Sequence, residues 1–578
     1  MQFLQTYDPL GQPLLSTLVA ALPLLLLLYL LAFVPWRDKQ GQRRRGIPAP
    51  RAALAASLLS LVFAVFILKM PAITATTSFL YGAASGLFPI GWILLAAMFL
   101  YTLTVVTGQF DVVKESIVSI SSDRRIQVLI IAFALGSFLE GAAGFGIPVA
   151  IAGAMMVGLG FKPFQSAVLN LLANSVPVAF GAIGTPIITL GAVTGLDAHR
   201  LGMLSALELM PFCLITPALV ITVMVKMDRK PLRKVLEVWP ALVVSGVAFT
   251  LSEYLTAAYL GPNLVGILGG LITLVALLGL CAVWKPARPY DEEAAMTAPA
   301  AGARSVAAMA GGAGGHSRGE VARAWLPWVL LTLFVFLWGQ PAMKNALDRG
   351  LGGIPTVFKW QVPFLHGVVY RMPPVVPEPA AESAVYTLNW LSSPGTAIFL
   401  AAIIAGLCLR MTGAQWKETI TRTLTRMKGP LTTVAMVLGF SYLTRYTGTD
   451  GTLGLAFTKT GFLYPFFAPL LGWIGVFITG SDTSANAMFG SLQQITARQL
   501  NLDEYLIVSA NSVGGCTGKL VSAQSLVVAT AATYEDQREA SSAVGSILRA
   551  VAGFSLGMAI VAGLILMALA YVFPGLVQ

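Results

Sequence analysis

The sequence contains little charge, histidine or cysteine. Of its 578 residues only 11% are Asp, Glu, Lys or Arg, three are histidine and four are cysteine. Cys213, Cys281, Cys408 and Cys516 stand in or at the ends of apolar stretches, without metal-ligand spacing or the paired positions of a disulfide scaffold. We interpret them as packing residues. Because the histidines fall in or beside polar connections, we predict neither a metal site nor a cofactor.

Apolar residues dominate instead. They make up 56% of the chain, and the mean hydropathy is +0.77. The run that begins at Leu14 is long enough for the roughly 20 residues that cross a bilayer. We therefore predict an all-α polytopic membrane protein whose partner is the lipid bilayer. The net charge of +11 comes from Lys and Arg in short loops between apolar segments, so no nucleic-acid surface is needed.

Hydropathy and the positive-inside rule predict about twelve transmembrane helices. The N-terminus lacks a basic region before the first apolar segment, so that segment is interpreted as a retained helix. With basic loops inside, both termini lie outside. The predicted spans are 14–34, 52–69, 90–107, 164–190, 206–226, 236–257, 262–284, 324–340, 394–410, 429–445, 504–530 and 546–573.

The chain divides into two halves. Residues 285–323 include an Ala/Gly-rich run and are predicted to form a cytoplasmic linker between residues 1–284 and 324–578. The segment from Pro341 to Trp390 is predicted to be an outside loop. Two further segments, 126–160 and 463–499, each have apolar arms around a small or polar centre, which indicates re-entrant hairpins.

An internal repeat relates the halves. GSFLEGAAGFG from Gly136 matches GVFITGSDTSA from Gly475, and LANSVPVAFGAIGTP from Leu172 matches SANSVGGCTGKLVSA from Ser509. Each half thus has a hairpin followed by a broken helix, 164–190 in the first and 504–530 in the second. Because the charge-based topology makes the two units run in opposite directions, we predict inverted repeats, a common transporter design with the substrate near the midplane.

The interruptions predict a polar cavity. Gly and Pro residues such as Gly144, Gly146 and Pro186 cannot sustain a regular helix. Backbone groups freed in hydrocarbon cost several kcal/mol each unless they lie within protein or face water. Free N–H groups at half-helix N-termini, including those near Gly144 and Gly146, favour an anion there.

Three charged residues coincide with the interruptions. Glu140 and Asp482 lie at the two hairpin tips, and Lys519 lies midway along the second broken helix. A charge at mid-membrane costs from about 2.5 to over 10 kcal/mol, which favours a function. Lys519 is a candidate for binding an anionic substrate, and Glu140 and Asp482 are candidates for carrying a coupled proton. The alternative is that a carboxylate pairs with Lys519 or caps a half-helix only to hold the fold.

Neutral polar groups at the same places are candidates for substrate hydrogen bonds, although each is equally suited to satisfying a broken helix. They are Asn174, Thr185, Ser481, Thr483, Ser484, Asn486, Asn511 and Ser522. Charges near span ends, namely Glu208, Glu253, Arg445 and Lys459, are interpreted as interfacial or snorkelling side chains.

Long motifs resemble the bacterial lactate permease family. They cover most of the chain in the family's order and include MPAITATTSFLYGAASGLFPIGWI from Met70, GSFLEGAAGFGIPVAI, PVAFGAIGTPI from Pro177, GWIGVFITGSDTSANAMF from Gly472 and TGKLVSAQS from Thr517. The resemblance implies a cytoplasmic-membrane symporter that takes up L-lactate, and often D-lactate and glycolate, with a proton. The family looks similar to a larger ion-transporter group, which implies two inverted repeats, each with a re-entrant hairpin and a broken helix. That group carries Ser, Asn and Thr at its hairpin tips; Ser481, Thr483 and Asn486 resemble them, whereas the tip around Glu140 is mostly Gly and Ala.

Lys519 and tip N–H groups would then hold the carboxylate, and tip hydroxyls and amides the 2-hydroxyl. Three alternatives remain open: a sodium-coupled symporter of another small organic anion, a membrane enzyme and a passive channel. The sequence contains no nucleophile–base pair or phosphate loop for an enzyme, and broken repeats favour alternating access over a pore. A homo-oligomer is compatible with the sequence but is not indicated by it.

Overall fold

The computed structural model describes residues 2–32, 34–37, 43–45, 47–118, 121, 123–144, 146–286, 290, 317–350 and 354–577. Within these residues, eleven helices are long and apolar enough to cross a membrane. They confirm the prediction of a helical multi-pass membrane protein. Most of the predicted linker at 285–323 lies outside the described residues.

The helices are, in chain order, α1 Pro13–Ala32, α2 Ala49–Phe66, α3 Ala72–Ser85, α4 Trp92–Val106, α5 Gln109–Val118, α6 Arg124–Val128, α7 Gly136–Ala142, α8 Ile147–Gly158, α9 Pro163–Ala173, α10 Gly181–Thr194, α11 Ala198–Met227, α12 Arg233–Leu236, α13 Trp239–Leu260, α14 Val265–Val283, α15 Arg318–Gly339, α16 Pro341–Asp348, α17 Pro394–Cys408, α18 Gly413–Thr447, α19 Thr449–Phe457, α20 Tyr464–Thr479, α21 Asp482–Gln499, α22 Glu504–Lys519, α23 Ala523–Thr533 and α24 Gln537–Tyr571. π-Helical turns join α3 to α4 and α6 to α7.

Both predicted hairpins contain two helices around a short turn. In the first, α7 ends at Ala142, Gly144 and Gly146 have φ of +60° and +80°, and Pro148 lies in the first turn of α8. In the second, Gly480 has φ of +74° after α20, and Ser481 caps α21. Glycine is needed at these left-handed positions because it adopts them without steric cost. Entry and exit on one membrane face stay predictions.

The two broken helices also separate into half-helices. In the first, Ala182, Ile183 and Gly184 all have positive φ between α9 and the regular part of α10. In the second, α22 ends at Lys519 and α23 begins at Ala523. A run of three left-handed residues cannot continue a right-handed helix, so the chain changes direction at this point.

The helices of the two units pack reciprocally. In the first hairpin, the second arm α8 packs against α23. Its counterpart in the second hairpin, α21, packs against α10. Likewise α11 packs against α22, whereas α24 packs against α9. Two halves related by a pseudo-two-fold axis would give this exchange of partners, although the division into inverted halves stays a prediction.

The segment predicted as an outside loop is folded. It contains α16 and the strands β4 Val357–Gln361, β5 Val369–Arg371, β6 Ala380–Ala381 and β7 Val385–Asn389. β4 pairs with β7 in antiparallel register, and β5 pairs with both β6 and the N-terminal strand β1 Phe3–Leu4. Strands β2 Pro35–Arg37 and β3 Arg43–Arg45 form a separate pair. Glu382 binds Arg371 and also Arg445 of α18, which fastens this lobe to the helices.

A buried arginine fastens the start of the first hairpin. The Arg125 side chain is fully buried and donates to both carboxylate oxygens of Asp123, at 3.0 and 2.7 Å. It also donates to Glu237 at 3.0 Å and to the Lys234 carbonyl at 2.7 Å. These contacts join the hairpin to the connection between α11 and α13, so the ends of these elements are held as one unit.

Candidate functional site

A small cavity lies between the two hairpin tips and the two helix breaks. Its volume is about 50 Å³, which accommodates a few ordered waters. The wall residues come from all four elements of the predicted repeat. They are Glu140, Gly144, Val178, Gly181, Ala182, Pro186, Gly480, Ser481, Asp482, Thr483, Lys519 and Gln524.

Lys519 supplies the positive charge of the cavity. It is the last residue of α22, its exposed fraction is 7%, and its Nζ donates to the Gly480 carbonyl at 2.5 Å. Among the described residues, no carboxylate lies within ion-pair distance of it. An ammonium group has three donors, so Lys519 retains hydrogen-bonding capacity for an anion in the cavity.

Asp482 brings a carboxyl group to the second hairpin tip. The Ser512 hydroxyl donates to its Oδ2, and the Asn486 amide donates to the same oxygen at 3.4 Å. Oδ1 is buried and has no hydrogen-bond partner among the described residues. A Cβ built on Gly515 would overlap this oxygen, so glycine is required there to leave room for the carboxyl group.

Glu140 brings a second carboxyl group from the first hairpin. Its exposed fraction is 3%, and Asn174 donates to its Oε2 at 3.1 Å. A Cβ on Gly181 would lie 2.7 Å from Oε1, so this carboxyl group rests against bare backbone of the first broken helix. The structure therefore places Lys519 and two acidic side chains around one cavity.

A network of amide side chains connects Asp482 to other residues of the second half and to α10 of the first. Asn486 Nδ2 also contacts the Ser512 hydroxyl at 3.2 Å and the Pro186 carbonyl of α10 at 3.1 Å. Asn511 donates to Asn486 Oδ1 at 2.8 Å, and Gln493 donates to Asn511 at 3.0 Å. Asn486 and Asn511 therefore connect the tip to its surroundings rather than lining the cavity.

Other predicted polar residues satisfy the broken backbone. Thr185 donates to the Ala182 carbonyl, and Ser522 donates to the Lys519 carbonyl at 3.2 Å. Thr185 and Ser522 occupy equivalent positions in the repeat and make equivalent bonds to the residue three positions earlier, which indicates a structural role. The backbone N–H of Ser484 donates to the Ser481 side chain, which caps α21.

Of the two glycines predicted at the site, one lines the cavity and the other packs against a neighbouring helix. Gly144 lines the cavity, whereas Gly146 faces Val528 of α23. The cavity therefore receives Glu140, Gly144, Ser481, Asp482, Thr483 and Lys519 from the predicted set. Asn174 supports it from outside.

Sequence reasoning missed one polar wall residue, Gln524. It lies in the first turn of α23 with an exposed side chain, and a Cβ built on Gly480 would lie 2.5 Å from its Oε1. The sequence signal that could have identified Gln524 is its position two residues after Ser522, which caps the N-terminus of α23. The apolar wall residues Val178 and Ala182 were also missed, because such residues do not stand out in a hydrophobic chain, whereas Pro186 belongs to the interruptions from which the cavity was predicted.

The interfacial interpretation of two acidic residues was wrong. Glu208 and Glu253 have exposed fractions of 2% and 1%. The Ser509 hydroxyl contacts Glu208, and the Cys213 thiol donates to Glu253 at 2.6 Å. Hydropathy located these residues near predicted span ends, but it does not show that neighbouring helices cover them. Arg445 is likewise engaged with Glu382 rather than snorkelling.

A sequence model of the L-lactate permease family matches residues 16–573. The chain belongs to the L-lactate permease family. It is therefore a multi-pass membrane transporter and not an enzyme, as the sequence predicted, and the resemblance noted from the motifs is confirmed.

Two relatives illustrate the similarity. Glycolate permease GlcA of Escherichia coli (strain K12) is 41% identical over 575 residues, which cover 99% of both chains. L-lactate permease of the same organism is 41% identical over 528 residues, which cover 91% of this chain and 92% of the relative. Among solved structures, Neisseria gonorrhoeae MtrF, titled as illuminating a class of antimetabolite efflux pumps, has a TM-score of 0.43 and 12% identity over 96% of this chain and 95% of that one.

Proposed function

We propose that this transporter takes up L-lactate and glycolate, and also D-lactate, across the cytoplasmic membrane together with a proton. The names of its relatives support the substrate class. Both termini would lie outside, and the two halves would form inverted repeats that move relative to each other around the cavity.

The charges of the cavity are the observation on which proton coupling rests. Glu140, Asp482 and Lys519 line the same small space. If all three were charged, the cavity would already carry one net negative charge, and an entering monocarboxylate would add another. Charges in a low-dielectric interior interact strongly, so binding of the anion favours protonation of one carboxyl group. The substrate and the proton would thus bind together.

The roles of the side chains follow from their positions. Lys519 and the free N–H groups at the start of α21 would hold the carboxylate, because a helix N-terminus favours an anion. Ser481 and Thr483 would bind the 2-hydroxyl. Glu140 or Asp482 would carry the proton.

Uptake by proteoliposomes that contain only this protein tests the proposal. We expect labelled L-lactate and glycolate to accumulate when an inward proton gradient is imposed, without sodium, and to leave when a protonophore is added. Accumulation that requires sodium would replace proton coupling with sodium coupling. Flux without accumulation would indicate a channel, and accumulation of another anion only would overturn the substrate assignment.

A matched pair of variants tests the proton role of the first hairpin. Glu140→Gln removes a buried carboxyl group of the cavity but keeps an oxygen that can accept from Asn174. Glu418→Gln removes a half-exposed carboxyl group that pairs with Arg422 on α18. We expect only Glu140→Gln to weaken pH-driven accumulation. If both variants accumulate substrate like the wild type, Glu140 does not carry the proton.

A further inference from the structure

Glu208 is a buried carboxyl group outside the cavity. It lies ten residues into α11, and its exposed fraction is 2%. Its contact is to Ser509 of α22, so it lies where the two predicted halves meet. A carboxyl group buried in protein is costly to ionise unless a cation or several donors surround it.

The hydrogen bonds of Glu208 are few for a buried carboxyl group. The Ser509 hydroxyl lies within hydrogen-bonding distance of its Oε1 and, at 2.9 Å, of the Leu506 carbonyl one turn earlier. A hydroxyl has one proton to donate and can also accept. If Glu208 is protonated, it donates to Ser509, and Ser509 donates to Leu506. If Glu208 is ionised, one neutral hydroxyl is the side-chain donor to it among the described residues, which leaves the buried charge poorly compensated.

The nearest charges do not compensate for an ionised Glu208. The ion pairs within the described residues do not include it. On α22, Glu504 binds Arg498 at the helix start, and Lys519 lies ten residues, about 15 Å, beyond Ser509. On α13, Glu253 is bonded to Cys213, five residues further along α11.

The other titratable groups described on α11 and the helices packed against it form no hydrogen bond or ion pair with Glu208 among the described contacts. They are His199, Arg200 and Lys226 on α11, Arg124 and Arg125 on α6, Arg233 and Lys234 on α12, Tyr254 and Tyr259 on α13, Tyr505 and Cys516 on α22, and Glu539, Arg549 and Tyr571 on α24.

We propose that Glu208 is a further proton-binding site of the transport cycle, protonated while it contacts Ser509 and deprotonated when α11 and α22 move apart. This inference rests on the proposed proton-coupled uptake. α22 also presents Ser512 to Asp482 and ends at Lys519. One rigid half-helix therefore connects Glu208 to two charged residues of the cavity, so that loss of its proton would change the position of both.

Glu208→Gln and its matched control Glu253→Gln provide the transport test. A pH gradient of one unit supports about tenfold accumulation by one-to-one symport, because one unit corresponds to about 1.4 kcal/mol. We expect Glu208→Gln to lose both this accumulation and the dependence of uptake on pH. Glu208→Asp should recover part of both. Glu253→Gln should behave like the wild type. Wild-type behaviour of Glu208→Gln would overturn the proposal.

Infrared spectroscopy of the purified full-length protein at neutral pH supplies a readout that does not depend on transport or on the substrate. We expect the wild type to show a C=O band of a protonated carboxyl group that moves in Glu208→Asp and disappears in Glu208→Gln. A spectrum in which no such band changes would refute the proposal even if Glu208→Gln is too unstable for uptake assays. If the wild type fails to accumulate lactate or glycolate while the band is present, the proposed function fails and the protonated site stands.

Discussion

Replacing Lys519 with methionine tests whether its charge binds the substrate. Lys519 is almost fully buried, lines the cavity and is hydrogen bonded to the Gly480 carbonyl. Methionine has a similar length and no charge, so it fills much of the same space. The variant removes one hydrogen bond to the Gly480 carbonyl and no ion pair among the described residues, so we expect it to fold.

The size of the effect follows from the interaction that is lost. A hydrogen bond to a charged group contributes about 1.5–3 kcal/mol. At about 1.4 kcal/mol per factor of ten, Lys519→Met should weaken the apparent affinity for L-lactate or glycolate about 10- to 150-fold. The loss should appear in KM for uptake, because the charge interacts with the carboxylate from binding onward.

Initial rates of uptake into proteoliposomes over a range of substrate concentrations measure this effect. Lys417→Met is the matched control, because Lys417 is exposed on α18. Thermal unfolding in detergent checks that both variants are folded. If folded Lys519→Met keeps the wild-type KM and only its maximal rate falls, Lys519 fastens the Gly480 turn and does not bind the anion.

Three further predictions test residues that hold the elements around the cavity in place. Arg125→Ala leaves the buried Asp123 carboxylate without its ion-pair partner, while Glu237 keeps Lys234, so we expect the free energy of unfolding to fall by about 3 kcal/mol in thermal or denaturant unfolding; an unchanged stability would contradict this. Gly515→Ala places a methyl group on Asp482, so uptake should be lost from folded protein, and normal uptake would show that this carboxyl group is free to move. With an added oxidant of thiols, Ala179→Cys should form a disulfide with Cys516, because the Ala179 N–H donates to Cys516 Sγ at 3.2 Å and the two residues are therefore adjacent. After cleavage in the linker the fragments should separate on a gel only under reducing conditions; separation without reductant would disprove the contact.

The helical interruptions could be predicted because Gly and Pro have strong backbone preferences. Gly144, Gly146 and Gly480 adopt positive φ at the places where the sequence predicted breaks. Charges are equally informative in an apolar chain, which is why Glu140, Asp482 and Lys519 were selected. All three line one cavity in the structure. Backbone preferences and isolated charges are properties of short stretches of sequence, so they can be recognised without knowledge of the tertiary fold.

Signals that depend on packing could not be read from the sequence. Glu208 and Glu253 differ from interfacial residues only because neighbouring helices cover them. The left-handed conformations of Ala182 and Ile183 are unusual for residues with side chains and are imposed by the surrounding structure. The lobe at 341–390 has strands of only two to five residues around several prolines, so its period-two pattern is too short to recognise.

The cavity is asymmetric although the sequence alignment relates its two sides. Ala179 and Cys516 are equivalent in the sequence alignment and contact each other, as residues on a pseudo-two-fold axis would. The charged residues break that symmetry, because the alignment places Thr479 opposite Glu140, Ala143 opposite Asp482, and Ala182 opposite Lys519. A symmetric pair of sites would contain two lysines and would suit a dianion. A single ammonium group beside an apolar wall that includes Ala182 instead fits the proposed small monocarboxylate, and under the proposed coupling the two carboxyl groups would make its entry dependent on a proton. If the two halves are inverted repeats as predicted, duplication would have produced the four elements around the cavity, and divergence at a few positions the charges within it.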